Sequence, residues 1–308
     1  MDNSIWISIL GFLATVALAF VVGVLYGGLV RKVTARIQNR VGPPFYQNFF
    51  DIVKLYSKTT AINHGWMQHL GPALAITASV TSLMFIPILN GQGDMMWFEN
   101  LNFKGDLIFL LYMMVFGSLG MALGAGQTGN PHSAIGVSRG LSQMVGYEIP
   151  WVLALVAIMM QAETTSITGL IDYQNANDTW MMFESPLAFI AGILAMLGMF
   201  HYAPFDVPFA PAELASGPAS EFGGKYLALM MTSGSIMAFV KLVLFVDIFM
   251  GGASNLVMLL VKTFLLYMVP VLYGIVSPRY RTEQSIRYFW GWPTAIGVLG
   301  VLYVVFIR

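Results

Sequence analysis

The stretch IWISILGFLATVALAFVVGVLYGGLV (residues 5–30), followed by RKVTAR (31–36), decides the fold class. It has no charged residue before Arg31, and a bilayer-crossing helix needs roughly 20 mainly apolar residues. The cations Arg31, Lys32 and Arg36 follow the apolar run and do not precede it, and the run exceeds the apolar region of a secretory signal. It is therefore expected to be a retained span. The same window finds seven further spans, at 71–90, 107–126, 144–162, 185–203, 226–249, 254–276 and 288–307. The expected fold is an all-α polytopic membrane protein of about eight transmembrane helices, a single integral membrane domain over residues 1–308.

Composition supports this class. Of 308 residues, 57% are hydrophobic and 10% charged, against about 25% charged in soluble domains. The 15 Lys and Arg balance 15 Asp and Glu, which excludes nucleic acid, whose phosphates demand clustered surplus cations. With zero Cys, the chain has no thiolate to ligate an iron–sulfur cluster or zinc. His64, His69, His132 and His201 have no metal-ligand spacing, and no phosphate loop or catalytic triad is present. Any electron-carrying cofactor is expected in a partner.

The charges are sided. Arg31, Lys32, Arg36, Arg40, Lys54, Lys58, Arg139, Lys225, Arg279, Arg281 and Arg287 fall in the first, third, fifth and seventh loops. The positive-inside rule puts these loops in the cytoplasm and both termini outside. Asp94, Glu99, Asp106, Glu163, Asp172, Asp178 and Glu184 fall in or beside the outer loops. Two cytoplasmic loops are long enough to hold structure. NFFDIVKLYSK (48–58) places Phe49, Ile52, Val53 and Tyr56 on one face and Asp51, Lys54 and Lys58 toward the other, the pattern of an amphipathic helix in the headgroup plane of the lipid. APFDVPFAPAELASGPASEFGGKY (203–226) is rich in Pro and Gly and is expected to be irregular.

Ionisable groups in a span are costly and are functional candidates. Glu148 lies within the fourth span, in SRGLSQMVGYEIPW (138–151). Nine helical residues, about 13 Å, separate it from Arg139, so the two cannot pair along one helix. Asp206, Glu213 and Glu221 stand seven and eight apart in the fifth loop, among Pro204, Phe205, Pro208, Phe209 and Pro211, which predicts a loop packed between protein surfaces. Lys241 and Lys262 lie deep in spans, in an ion path or in pairs with carboxylates of neighbouring helices. Asp247 is expected to snorkel toward the outer end.

Several segments together resemble one family, the H-type membrane subunit shared by respiratory complex I and the energy-converting hydrogenases. RIQNRVGPP (36–44) with FDIVKLYSK (50–58) is similar to its first cytoplasmic loop. SRGLSQMVGYE (138–148) is similar to the entry into its fourth helix. APFDVPFAPAEL (203–214) and SGPASEFGGKYLAL (216–229) are similar to its acidic loop. The resemblance implies a heel subunit in the cell membrane, with no cofactor of its own. Its implied partners are the NiFe hydrogenase-like large and small subunits of a peripheral arm, which carry the iron–sulfur clusters and the NiFe centre, and antiporter-like membrane subunits. Joined to the residue readings above, it makes Glu148, Glu213, Glu221, Asp206 and Lys241 the set for proton or ion coupling. Arg36, Arg40, Asp51, Lys54 and Arg139 become the set for docking and loop shaping.

Departures choose the branch. GPPFYQ (42–47) is contracted relative to complex I, and Met199, Phe209, Pro211 and Gly234 stand where quinone enzymes of the family carry acids. Together with NHGWM (63–67), these features resemble the branch of ferredoxin-linked membrane-bound hydrogenases and sulfane sulfur reductases. The alternatives are the quinone-binding H-type component of NADH:quinone oxidoreductase and a self-contained carrier, for which no inverted repeat is evident.

Overall fold

A computed structural model describes residues 2–60, 64–89 and 101–307, and all regular structure among them is helical. Asn63, Asp94, Glu99 and the end of the second expected span lie outside the described residues. α1 (Asp2–Ile37) is the first span, and α2 (Gln47–Tyr56) is the surface helix. α3 (Trp66–Leu83), α4 (Asp106–Gly126) and α5 (Pro131–Ala162) follow. Two short helices, α6 (Ile167–Ala176) and α7 (Met181–Glu184), precede α8 (Pro186–Met199). The fifth loop holds α9 (Pro211–Leu214) and a 3-10 turn (Gly217–Ala219). α10 (Gly224–Met250), α11 (Leu256–Val276), α12 (Thr282–Trp290) and α13 (Trp292–Ile307) complete the chain.

All eight expected windows are largely helical, yet among the described residues six stretches have the length and hydropathy of a span, namely α1, α4, α5, α10, α11 and Thr282–Phe306 across α12 and α13. The exceptions have plain causes. α3 carries Gln68, His69, Thr77, Ser79, Thr81 and Ser82, which lower its hydropathy. The 14 residues of α8 rise about 21 Å, short of the roughly 30 Å hydrocarbon layer. α5 begins 13 residues before its expected window. Pro131 stands in its first turn, and the Asn130 side chain caps it by accepting from the His132 N–H at 2.9 Å, a strong start signal. The eighth window is divided at Gly291.

α10 is the hub of one half of the bundle and packs on α1, α2, α3, α11 and α6; α5 is the hub of the other and packs on α8, α12 and α13. From Phe239 to Phe249, α10 is buried except at Lys241. Small residues set the close approaches that membrane helices use. A Cβ on Gly71 of α3 would stand 2.6 Å from the Gly120 carbonyl oxygen of α4. α2 buries only Ile52 and leaves Phe49, Phe50 and Val53 exposed, as a helix with an apolar face turned to lipid does.

The fifth loop is packed, as its apolar residues predict. Phe205 is fully buried, with ring centroids 4.6 Å from Phe289, 5.3 Å from Tyr288 and 5.6 Å from Tyr280. Val207, Ala210, Leu214 and Phe222 are buried with it. Gly136 of α5 lets it dock, since a Cβ there would meet Pro218 Cδ at 2.7 Å and Gly217 Cα at 2.9 Å.

Candidate functional site

The structure divides the expected coupling residues among three neighbouring places. In the first, Asp206 and Glu213 tie the fifth loop to its surroundings. Arg279, from the loop after α11, grips Asp206 with both arms of its fork, Nε to Oδ1 at 2.7 Å and Nη2 to Oδ2 at 2.5 Å. Arg139 of α5 donates from Nη1 to Glu213 Oε2 at 2.8 Å. Arg139, Glu213 and Arg279, with Arg281 and Glu283, border a cleft of about 490 Å³. The Arg139 hydrogen bond holds the Glu213 carboxyl below its ordinary range, and Asp206 raises Arg279. The Glu213 carboxyl is therefore a fixed negative charge at neutral pH.

The second place is Glu221. Its Oε1 accepts from Asn130 Nδ2 at 2.5 Å, and its Oε2 lies 3.4 Å from His64 Nε2. The Asn130 bond, helped by His64, holds this carboxyl below the usual value too. Gln68 extends the group, donating from Nε2 to the Glu221 carbonyl at 3.3 Å and accepting the His64 N–H at 2.8 Å. This network joins the starts of α3 and α5 to the end of the fifth loop.

The third place holds Glu148. α5 runs unbroken through both Arg139 and Glu148, so the two do not pair, as the spacing predicts for one helix, and Arg139 finds Glu213. Glu148 lines a cavity of about 370 Å³ between α4, α5 and α10, and Lys241 of α10 lines the same cavity. The Lys241 Nζ donates to the Met199 carbonyl, at the end of α8, at 3.0 Å and lies 5.9 Å from the Phe200 ring centroid. Ile108, Tyr112 and Val152 on the cavity's wall are exposed, so its mouth opens on the flank of the bundle. A narrower gap of about 40 Å³ shares Ser118, Met144 and Tyr147 with it and is walled by His201, Phe209 and Pro218. The packed loop thus lies one layer of side chains from the chamber of Glu148 and Lys241.

Of the docking and loop-shaping set, Asp51 accepts from Arg31 Nη1 at 3.4 Å and from Gln47 Nε2 at 3.2 Å. Arg40 donates to Gln38. Arg31 and Arg40 border a cleft of about 600 Å³ reaching Tyr202 and Ala203, while Arg36 and Lys54 are exposed.

Two expectations change. Asp247 does not snorkel: it is fully buried in α10, because α6, α7 and α11 close over the end of that helix. Lys241 and Lys262 take no carboxylate partner among the described residues; both ammonium groups hydrogen-bond backbone carbonyls at helix ends, where the helix dipole favours a cation. Sequence reasoning also missed Arg279, His64, Asn130 and His201. In the sequence Arg279 bears only on orientation. The Asn-Pro pair at 130–131 is a helix start that could have placed Asn130.

Residues 8–305 match a family described as NADH dehydrogenase. The chain is 27% identical over 318 residues to the H subunit of NADH-quinone oxidoreductase from Phocaeicola vulgatus, covering 93% of this chain and 87% of that one. It is 27% identical over 298 residues to the protein of the same name from Geobacillus kaustophilus, covering 90% and 86%. Among solved structures, it superposes with a TM-score of 0.90 and 32% identity on a chain of the membrane-bound sulfane sulfur reductase, an archaeal respiratory membrane complex, covering 96% of this chain and 99% of that one.

Proposed function

From the premise that this chain belongs to the NADH dehydrogenase family, as an H-type subunit of complex I-like membrane assemblies, we propose that it anchors a ferredoxin-linked complex of the hydrogenase and sulfane sulfur reductase branch and couples its redox chemistry to ion movement. The observation that carries the coupling role is the shared chamber of Glu148 and Lys241, one side-chain layer below a charged loop. The branch rests on the sulfane sulfur reductase chain, 99% of which is covered, against 87% and 86% for the two quinone relatives, and on the contracted 42–47 turn.

In this reading the loops bearing Asp206, Glu213, Arg139 and Arg279 receive the NiFe hydrogenase-like large and small subunits, whose iron–sulfur clusters bring the electrons, and antiporter-like subunits lie beside the bundle in the cell membrane. Asp206 and Glu213, gripped by Arg279 and Arg139, set the loop's position. Glu148 takes up and releases the proton, and Lys241 supplies a positive charge in the same chamber. A unit charge arriving about 4 Å from another at an effective dielectric near 20 changes the energy by about 4 kcal/mol, enough to drive a proton transfer.

Glu148→Gln in the assembled complex tests this. Electron transfer from reduced ferredoxin should persist while ion translocation into proteoliposomes falls about tenfold, equal to about 1.4 kcal/mol; wild-type translocation would reject the coupling role. The relatives' names favour one other reading, a quinone-binding subunit. Quinone-dependent turnover blocked by quinone-site inhibitors, with no ferredoxin-driven reaction, would establish it.

A further inference from the structure

Asp247 is a buried acid that none of the three places uses. It is fully buried, and neither carboxylate oxygen has a hydrogen-bond partner among the described residues. Three residues later, about 4.5 Å along the axis, α10 ends at Met250, and Gly251 turns the chain with φ +66°. Lys262 of α11 closes that end. Its Nζ donates to the carbonyls of Met250 at 2.8 Å and Gly252 at 2.6 Å and lies 4.7 Å from the Trp180 ring centroid. Lys262 thus sits at the same end of α10 as Asp247, and its hydrogen bonds go to the carbonyls.

Among the described residues, the other elements here bring no second counter-charge. α6 presents Gln174, whose amide is committed to the carbonyls of Asp247 at 2.9 Å and Ile248 at 3.3 Å. On the same helix Asp172 is exposed, and Tyr173 donates to Glu184 of α7 at 3.2 Å. Glu184 also accepts from Gln161 at 2.7 Å and from Thr179. α8 has no titratable residue. An ionised carboxylate with neither pair nor hydrogen bond is too costly to bury, whereas the neutral acid is sustainable there.

We propose that Asp247 is a proton-binding site at the end of α10 opposite the cation-rich loops, with Lys262 as its movable counter-charge. With the carboxyl protonated, the ammonium rests on the Met250 and Gly252 carbonyls. When the O–H bond breaks, the proton leaves to the adjoining aqueous phase, and the Lys262 ammonium, keeping its three protons, swings on its flexible stem to pair the carboxylate. No electron moves. Ser254 and Asn255, in the turn just beyond, are exposed, so water stands a few residues from the site.

Infrared difference spectroscopy across a pH titration of the full chain in its membrane complex tests this. Asp247→Asn, which matches a neutral acid in shape, should delete one protonated-carboxyl band while the chain stays folded. Lys262→Gln should carry that band to more alkaline pH, by about tenfold or more in proton affinity, the effect of removing a nearby opposite charge. A band retained in Asp247→Asn, or a titration unmoved in Lys262→Gln, would overturn the proposal. Should Asp247→Asn not fold, the Lys262→Gln titration decides alone.

Discussion

Glu221 shows how a single side chain can bind three segments and respond to pH. Its Asn130 and His64 partners hold its carboxyl below the ordinary value of 4.5, so the folded state binds its proton less readily than the unfolded chain does. A carboxyl lowered in this sense stabilises the fold fully above the unfolded value, and the contribution disappears as the pH falls through the folded value. Glu221→Gln should therefore lower the melting temperature at neutral pH, and the gap from the natural protein should close as the medium is taken from about pH 5 to about pH 3. Thermal scans at a series of pH values measure this, and a gap independent of pH would assign the loss to shape alone. Asp206 and Glu213 are held by arginines from opposite directions, Arg279 after α11 and Arg139 on α5. Spacing within the loop cannot show such partners, since both lie more than 70 residues away in sequence.

At the scale of elements, the fifth loop behaves as a packed layer despite its Pro and Gly content. Phe205 anchors it among the rings of α12, and the 3-10 turn lies against Gly136 of α5 with no room for a side chain. Gly136→Val should push this layer off the helix. Overpacking of this kind costs about 1–3 kcal/mol, and limited proteolysis should then cut faster around the exposed Ala215 and Ser216. An unchanged cleavage rate would mean that α5 yields and the loop does not. The start of α5 makes a related point. Hydropathy locates it at 144 because His132, Ser133, Ser138, Arg139 and Gln143 are polar, whereas the helix is set from Pro131 by its cap. That extra length is what carries Arg139 up to Glu213.

For the whole molecule, the cation-rich loops define one face and the acids of α6, α7 and their connections the other. The positive-inside rule makes the first face cytoplasmic. A chain with zero Cys offers a clean test by single-cysteine labelling. Lys58→Cys and Asn177→Cys, both at exposed positions, should react oppositely in sealed right-side-out vesicles. An impermeant maleimide should label Asn177→Cys at once and Lys58→Cys only after permeabilisation. The reverse order would invert the orientation and, with it, the side of the membrane to which Asp247 is closest.

The sequence by itself determined the membrane class, the positions of the helical windows, the surface helix and the division of charge between two faces. These properties follow from transfer of each segment between water and lipid, a local energy that composition and periodicity record. The family, too, was legible in a few short motifs, because the loops that carry them are contiguous in the chain. Only the tertiary structure decided which charges meet. Glu221 finds His64 across 157 positions, Glu148 shares a chamber with Lys241, and Asp247, expected to reach water, is sealed beneath α6, α7 and α11. Such pairings depend on which helices lie side by side. That choice is made by close contacts such as Gly71 on Gly120 and Gly136 on Pro218, where the energy of a residue depends on a neighbour far away in the chain.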